Sequence, residues 1–399
     1  MSEPNRLLQQ IQVNTARGPL YQNDLPARLP IDPEVRLIAY YLPQFHPIPE
    51  NDLWWGKGFT EWTNVTKAVP RFVGHYQPRL PGELGFYDLR SPDIIRRQAL
   101  LAKKYGVHGF CLHYYWFGGR TLLETPLNLL LENKDIDINF CVCWANENWT
   151  RRWDGEEHEM LISQAHSPKD DTMFARSLEP LFRDPRYIRI DGRPLLIVYR
   201  AGLLPDPLAT ARRWRHHVAS AGFGNPYLVM AQTWGDEDPR PFGFDAAVEF
   251  PPHKFWDTPR INSDVELLDP DFEGNMHEYG DLVKRATTAA PTEFKLFPCV
   301  CPSWDNEARR PRKGTTFAFS TPEKYGAWLT HACQRSLREF QPAEQIVFVN
   351  AWNEWAEGAY LEPDRHFGFA YLDETARVLG RLDEARATAA YDAAESAIP

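Results

Sequence analysis

The sequence contains no apolar run approaching the roughly 20 residues needed to cross a bilayer, so no membrane span is expected. Its opening stretch, Met1 to Gln12, is polar and lacks the apolar core of a signal peptide, which points to a cytoplasmic location. Positive charge is in the minority: 44 Lys and Arg face 54 Asp and Glu, a formal net charge of −10. With no basic patch and no Gly-rich phosphate loop, nucleic acid is not an expected partner. Cysteine pairs of the zinc-binding kind are also missing. The six cysteines at 111, 141, 143, 299, 301 and 333 include two C-x-C pairs inside apolar runs, but no C-x-x-C. They read as reduced, buried packing residues. His46, His108, His113 and His253 lie near strand segments, yet no H-x-H or H-E-x-x-H spacing occurs. Neither metal nor cofactor is expected. Low-complexity segments, repeats and linkers are absent too, so one catalytic domain (34–399) is expected after an N-terminal extension (1–33).

What the chain does have is a recurring unit. Short apolar runs occur at 35–42, 107–116, 138–144, 194–200, 226–232, 245–250, 295–301 and 345–352. Helical patterns separate most of them: 92–105, 122–133, 168–182, 205–221, 274–289, 322–340 and about 373–394. Ser91-Pro92, Ser167-Pro168 and Thr321-Pro322 each place a capping hydroxyl before a first-turn proline. Continuous apolar strands alternating with amphipathic helices imply an α/β protein with a covered parallel sheet. Eight such units predict a (β/α)8 TIM-type barrel with elaborated strand-end loops. The fifth crossover, 233–244, is too rich in Pro and Gly for a full helix. An open doubly wound sheet is the alternative, but it calls for a Gly-rich loop after the first strand. Tyr41-Leu42-Pro43-Gln44-Phe45 stands there instead.

Tryptophan is the compositional outlier, with 14 residues, about two to three times ordinary usage. Only Trp214 and Trp328 fall on predicted helices; the others sit at strand ends or in the loops beyond them. In a barrel those loops share the rim where active sites form. Flat rings on a rim suit the C–H faces of sugars, while neighbouring polar groups suit their hydroxyls. The expected substrate is therefore an oligo- or polysaccharide. The candidate binding residues follow the strand ends: Tyr41, Trp55 and Trp116, then Trp144, Asn146 and Glu147. Further on come Trp234, Glu249 and His253, then Trp304 and Asp305, and finally Trp352 and Asn353. The last strand delivers Glu354 and Glu357, two carboxylates among indoles. Glycosidic bond cleavage needs one carboxyl group to give a proton and another to take one.

Several blocks resemble a known family. Tyr40-Tyr41-Leu42-Pro43-Gln44-Phe45-His46-Pro47, the segment from Trp54 to Val65, and Gly74-His75-Tyr76-Gln77-Pro78 look like the WbsX-type glycosyltransferase-like proteins. So do the stretches from Cys143 to Trp153 and from Trp352 to Gly358. That family is associated with bacterial O-antigen and exopolysaccharide loci, and is similar to glycoside hydrolase family 99, the endo-α-mannosidases, which fold as (β/α)8 barrels. Glu354 and Glu357 match the two acids of the family-99 signature, and Leu361-Glu362-Pro363 matches the element after it. The resemblance implies retention of configuration without a protein nucleophile. Glu354 would take the proton of the sugar 2-hydroxyl, which attacks C1 to give a 1,2-anhydro sugar. Glu357 would protonate the departing oxygen. The signature's His is Ala356 here, so mannose and its linkage are not carried over.

Two alternatives stand beside cleavage: a transferase or transglycosylase of polysaccharide synthesis, and a non-catalytic glycan-binding barrel. A nucleotide-sugar transferase would use a diphosphate site. Asp135-Ile136-Asp137 has D-x-D spacing but precedes the third strand, whereas Asp236-Glu237-Asp238 is better placed for a metal. Arg151 and Arg152 are candidates for a phosphate or an acidic sugar.

Overall fold

The computed structural model describes residues 3–25, 33–151 and 156–396. Its strands, in chain order, are β1 (Arg36–Tyr41), β2 (Val107–Phe117), β3 (Asn139–Trp144), β4 (Arg193–Val198), β5 (Tyr227–Ala231) and β6 (Ala246–Val248). Next come β7, made of Leu296–Phe297 and Cys299–Val300, and β8 (Ile346–Val349). All pair in parallel, β1 with β2 and β8, and each of the others with its sequence neighbours. The result is a nearly closed parallel barrel surrounded by helices, as the alternation of runs predicts. These strands are buried on both faces, which explains why their sequences read as continuous rather than alternating.

β7 is the irregular position. Leu296–Phe297 pairs with β6 and Cys299–Val300 with β8, so its two halves complete the ring between different neighbours. Pro298 divides them because it has no N–H for a ladder. Its carbonyl still accepts from the Phe348 amide at 2.9 Å.

The helices mostly begin and end where capping signals place them. Ser167 and Thr321 accept hydrogen bonds from Asp170 and Lys324 amides at the starts of Pro168–Ser177 and Pro322–Glu339. The expected helix 274–289 is corrected by the structure. Asn275–Glu278 is a strand paired with Thr315–Ala318, and the helix proper is Tyr279–Thr287, capped by the Glu278 carboxylate. A third strand, Trp304–Asp305, completes this small sheet beside the barrel mouth. The fifth crossover holds only a single 3-10 turn, Arg240–Phe242. The helix Glu3–Thr15 docks on the barrel side, where Asn14 Nδ2 donates to the carbonyls of His75 and Gln77, both at 2.7 Å.

All six cysteines are buried and free. Among the described residues, no helix is long and apolar enough to cross a membrane.

Candidate active site

β8 ends in a tight turn that sets the two acids side by side. Asn353 braces it: its Nδ2 donates to the Leu42 carbonyl at 3.0 Å and its Oδ1 accepts from the Leu42 amide at 2.7 Å. Asn353–Glu354 pairs with Ala359–Tyr360, and the 3-10 turn Trp355–Glu357 between them closes on Gly358. Gly358 has a φ of +61°, and a Cβ there would meet Arg79 and Asp305 at 3.0 Å. Only glycine fits both demands. Trp355 stacks on Tyr360 at 3.7 Å and donates its indole N–H to Glu362 at 2.7 Å, which locks the turn from behind.

Both acids converge on one guanidinium. Arg309 lies 2.6 Å from Glu354 through Nη2, 2.7 Å from Glu357 through Nη1, and 2.8 Å from Glu61 through Nε. Glu354 is only 6 % exposed and Glu61 is fully buried, while Glu357 reaches further into the cleft. Burial lifts the proton affinity of Glu354 well above the usual carboxylate range; Arg309 opposes this, and Glu357 and Glu61 add to it. Glu357 is raised as well, again by burial, against Arg309 and with Glu61. Two acids this close share their titration, so the retained proton belongs to the pair.

The pair lies at the floor of a cavity of about 820 Å³ at the carboxyl ends of the strands. On one wall His253 sits between two solvent-facing indoles, Trp234 at 5.7 Å and Trp256 at 6.2 Å between ring centres. These rings are 59 % and 44 % exposed, unusual for Trp, and both line the cavity. Burial, helped by the charge of Arg200, pushes His253 down to about 4, so its ring is neutral near pH 7. Trp304, beside the acids, has a buried indole N–H with no hydrogen-bond partner among the described residues. On the facing wall, Gln44 Oε1 and Asn51 Nδ2 are likewise buried and unpaired among the described residues. Buried donors and acceptors left unpaired in residues that line a cavity are uncommon in a finished core and mark this wall as polar.

The structure brings Glu354, Glu357, Trp55, Glu147, Trp234, His253 and Trp304 together around this cavity. It places the other sequence candidates elsewhere, mostly because strand parity turns them outward. Tyr41 donates to Gln98 on the helix Pro92–Lys104 at 2.7 Å, and Trp116 donates to Asp170 at 3.0 Å. Trp144 stacks on Phe174 of the helix layer at 4.3 Å. In each strand an adjacent residue takes the cavity side: Leu42 beside Tyr41, Tyr115 beside Trp116 and Ala145 beside Trp144. Trp352 is fully buried, and Asn353 serves the turn.

Asn146 exchanges hydrogen bonds with the Arg200 backbone, both at 2.8 Å. Glu249 pairs with Arg335 at 2.7 Å and accepts from the Cys299 amide at 3.1 Å. Asp305 is buried under the site and pairs with His75 at 2.8 Å. Burial opposes its charge, but His75 and Arg79 outweigh that and hold its carboxyl well below the usual range. Of the diphosphate candidates, Asp135 and Asp137 pair with Arg96 and Lys103 before β3. Asp236 and Glu237 do line the cavity. Arg152, Trp153 and the side chain of Arg151 lie outside the described residues. Among the described residues, no group of three or more His, Cys, Asp or Glu is arranged to hold a metal ion.

Sequence reading did not single out Arg309, Glu61 or Trp256 for this site. Arg309 is 248 residues from Glu61 and 45 from Glu354, so no local motif joins them. For Glu61 and Trp256 a signal was present, since both lie in the tryptophan-bearing loops that the barrel gathers on one rim.

A nearly closed parallel barrel surrounded by helices is an architecture shared with solved structures. The GH99 endo-alpha-mannosidase from Bacteroides thetaiotaomicron superposes with a TM-score of 0.56 at 15 % identity, covering 88 % of this chain and 98 % of that one. A glycoside hydrolase-like protein superposes with a TM-score of 0.55 at 13 % identity, covering 90 % and 98 %. Identities this low establish the fold. The chain itself belongs to the WbsX glycosyltransferase family, whose model matches residues 37–375. It is also 49 % identical over 360 residues to WxcX of Xanthomonas campestris pv. campestris, in strain B100 and in strain ATCC 33913 alike. That match covers 90 % of this chain and 51 % of WxcX, so the chain spans about half the length of these relatives.

Proposed function

We propose that this protein is a carbohydrate-active enzyme that cleaves glycosidic bonds of a bacterial polysaccharide or O-antigen-type glycan with retention of configuration. The observation that carries the reading is the pair Glu354 and Glu357, held by one arginine at the floor of a cleft walled by exposed indoles. Glu354 takes the proton from the sugar 2-hydroxyl, and that oxygen closes on C1 to form the 1,2-anhydro sugar. Glu357 gives its proton to the departing oxygen, then withdraws one from the water that attacks C1, while Glu354 returns its proton to the 2-oxygen as the C1–O2 bond breaks. This division needs one proton on the pair, seated on Glu357. Burial raises both acids and so favours a shared proton, but it raises Glu354 the more. The proton must therefore pass to Glu357 before the 2-hydroxyl is deprotonated.

The barrel shared with the endo-alpha-mannosidase and the matching acids support cleavage. The family's name favours a second outcome, in which the same intermediate is opened by a sugar hydroxyl and the reaction is a transfer. Glu354→Gln and Glu357→Gln should each lower turnover of a cleaved glycan by about 10²- to 10⁴-fold, with melting temperatures near that of the parent. Full cleavage by both variants would overturn the assignment. Product analysis by mass spectrometry with an added sugar acceptor separates hydrolysis from transfer.

A further inference from the structure

Three carboxyl groups and one guanidinium make an unbalanced cluster. With Glu61, Glu354 and Glu357 all ionised, a single Arg309 would leave two negative charges in a mostly buried floor. Proteins seldom hold such a surplus; a proton is retained instead. Arg309 is also placed with unusual care. Its loop leaves the strand Trp304–Asp305, and the next acid, Glu307, is fully buried and pairs with Arg71 at 2.5 Å. The Arg309 amide donates to the Asn306 carbonyl at 3.1 Å. Three different nitrogens of the fork are then spent on three carboxylates, which a lysine cannot reproduce. Glu61 contributes one oxygen to this contact, and its other oxygen is buried with no partner among the described residues.

We propose that Arg309 and Glu61 are positioning residues for the acid pair: the guanidinium aims both carboxyl groups into the cleft, and Glu61, as a third carboxylate on the same cation, keeps a proton on the pair. This rests on the acid–base reading above. A purely structural role for Glu61 would be to hold Arg309 still. The two roles differ in what happens to the proton.

The groups facing the pair set the expected signs. Arg309 comes from the loop after β7 and Glu61 from the helix Glu61–Val65; His113 and Tyr115 face it from β2, Tyr199 from the end of β4, and Cys301 from the end of β7. Burial keeps Tyr115, Tyr199 and Cys301 in their neutral forms. Removing the negative charge of Glu61 therefore favours ionisation of the pair, and removing the positive charge of Arg309 opposes it. A neutralised cavity floor without electrostatic coupling would show neither effect.

The test is a pH titration followed by infrared difference spectroscopy. The C=O stretch of a protonated carboxyl group is assigned to the pair by its change in Glu354→Gln and Glu357→Gln. In Glu61→Gln the midpoint should fall, and in Arg309→Met it should rise, each by about one to three pH units. Arg309→Lys keeps the charge, so its midpoint should stay near that of the parent while turnover drops through lost aim. An unmoved midpoint in Glu61→Gln, or shifts of the same sign in Glu61→Gln and Arg309→Met, overturns the proposal. If Arg309→Met does not fold, Glu61→Gln against Arg309→Lys decides it, because only the first should move the proton. The infrared readout needs no substrate, so failure of the cleavage reading would show separately, as retained turnover in the acid-pair variants.

Discussion

Trp234 has a backbone φ of +54°, in the left-handed region that bulky residues rarely occupy. Such strain costs on the order of 1–3 kcal/mol and persists where surrounding structure imposes it. Here the indole is held out over the cleft, with the Arg200 guanidinium 5.1 Å from its ring. Trp234→Ala and Trp256→Ala should each weaken glycan binding by about 0.5–1.5 kcal/mol, judged from aromatic contacts in general, readable by calorimetry as a few-fold to tenfold rise in Kd. The acids make a second prediction at this scale. Because both carboxyl groups are raised, the proton-donating form survives to higher pH than in an ordinary glutamate. Turnover should fall as pH rises through the pair's last ionisation, and fall again at low pH as the proton-accepting carboxylate is neutralised. A bell with both limbs in the carboxylate range of pH 4 and below would contradict this.

At the scale of elements, the rim is built in two tiers. The upper tier touches the cavity; the lower tier holds the loops. Asp305 belongs to the lower tier, bonded to His75, Gln77 at 2.9 Å and Thr316 at 3.1 Å. Its depressed proton affinity means that it contributes stability fully above the unfolded-state value, near pH 4, and loses that contribution as pH falls further. Asp305→Asn should cost about 3–5 kcal/mol at pH 7, since it leaves the buried Arg79 guanidinium without its carboxylate. The deficit should shrink towards pH 3, which thermal melts across that range would show. Thr321→Ala, by contrast, removes one cap hydrogen bond from a half-buried helix start and should cost only about 1 kcal/mol.

Much of this element plan was legible in advance. The eight apolar runs, the Ser-Pro and Thr-Pro starts, and the short fifth crossover follow from local chemistry. What strand ends alone did not convey was which way each residue points. Tyr41, Trp116 and Trp144 occupy outward parity positions, so their aromatic bulk serves the helix layer. Counting inward from β2, where Tyr115 faces the cleft, recovers the correct alternation.

On the scale of the whole molecule, the barrel concentrates its chemistry on one face and its thiols in the core. All six cysteines are buried, so a thiol reagent should reach none of them in the native protein and all six after denaturation. Rapid labelling under native conditions would show that the core opens more readily than its packing indicates. The site's centre was less legible than the barrel because it is assembled from distant segments. Glu61, Arg309 and Glu354 come from the loops after β1, β7 and β8 and meet only when the ring closes. A glutamate in a Trp-rich loop and an Arg-Arg pair beyond the seventh strand carry no local spacing that would join them.

The divided seventh strand has one more consequence. Each half shares just two ladder positions with its neighbour, fewer than β1 shares with β2 or β8. A parallel ring with one thin join has a preferred place to unzip. Amide protons along β7 and the adjoining edge of β6 should therefore exchange with solvent sooner than those of β1 and β2. The loop bearing Trp304 and Arg309 hangs from that join, so every transient parting of the ring would disarm the cleft before the rest of the barrel noticed.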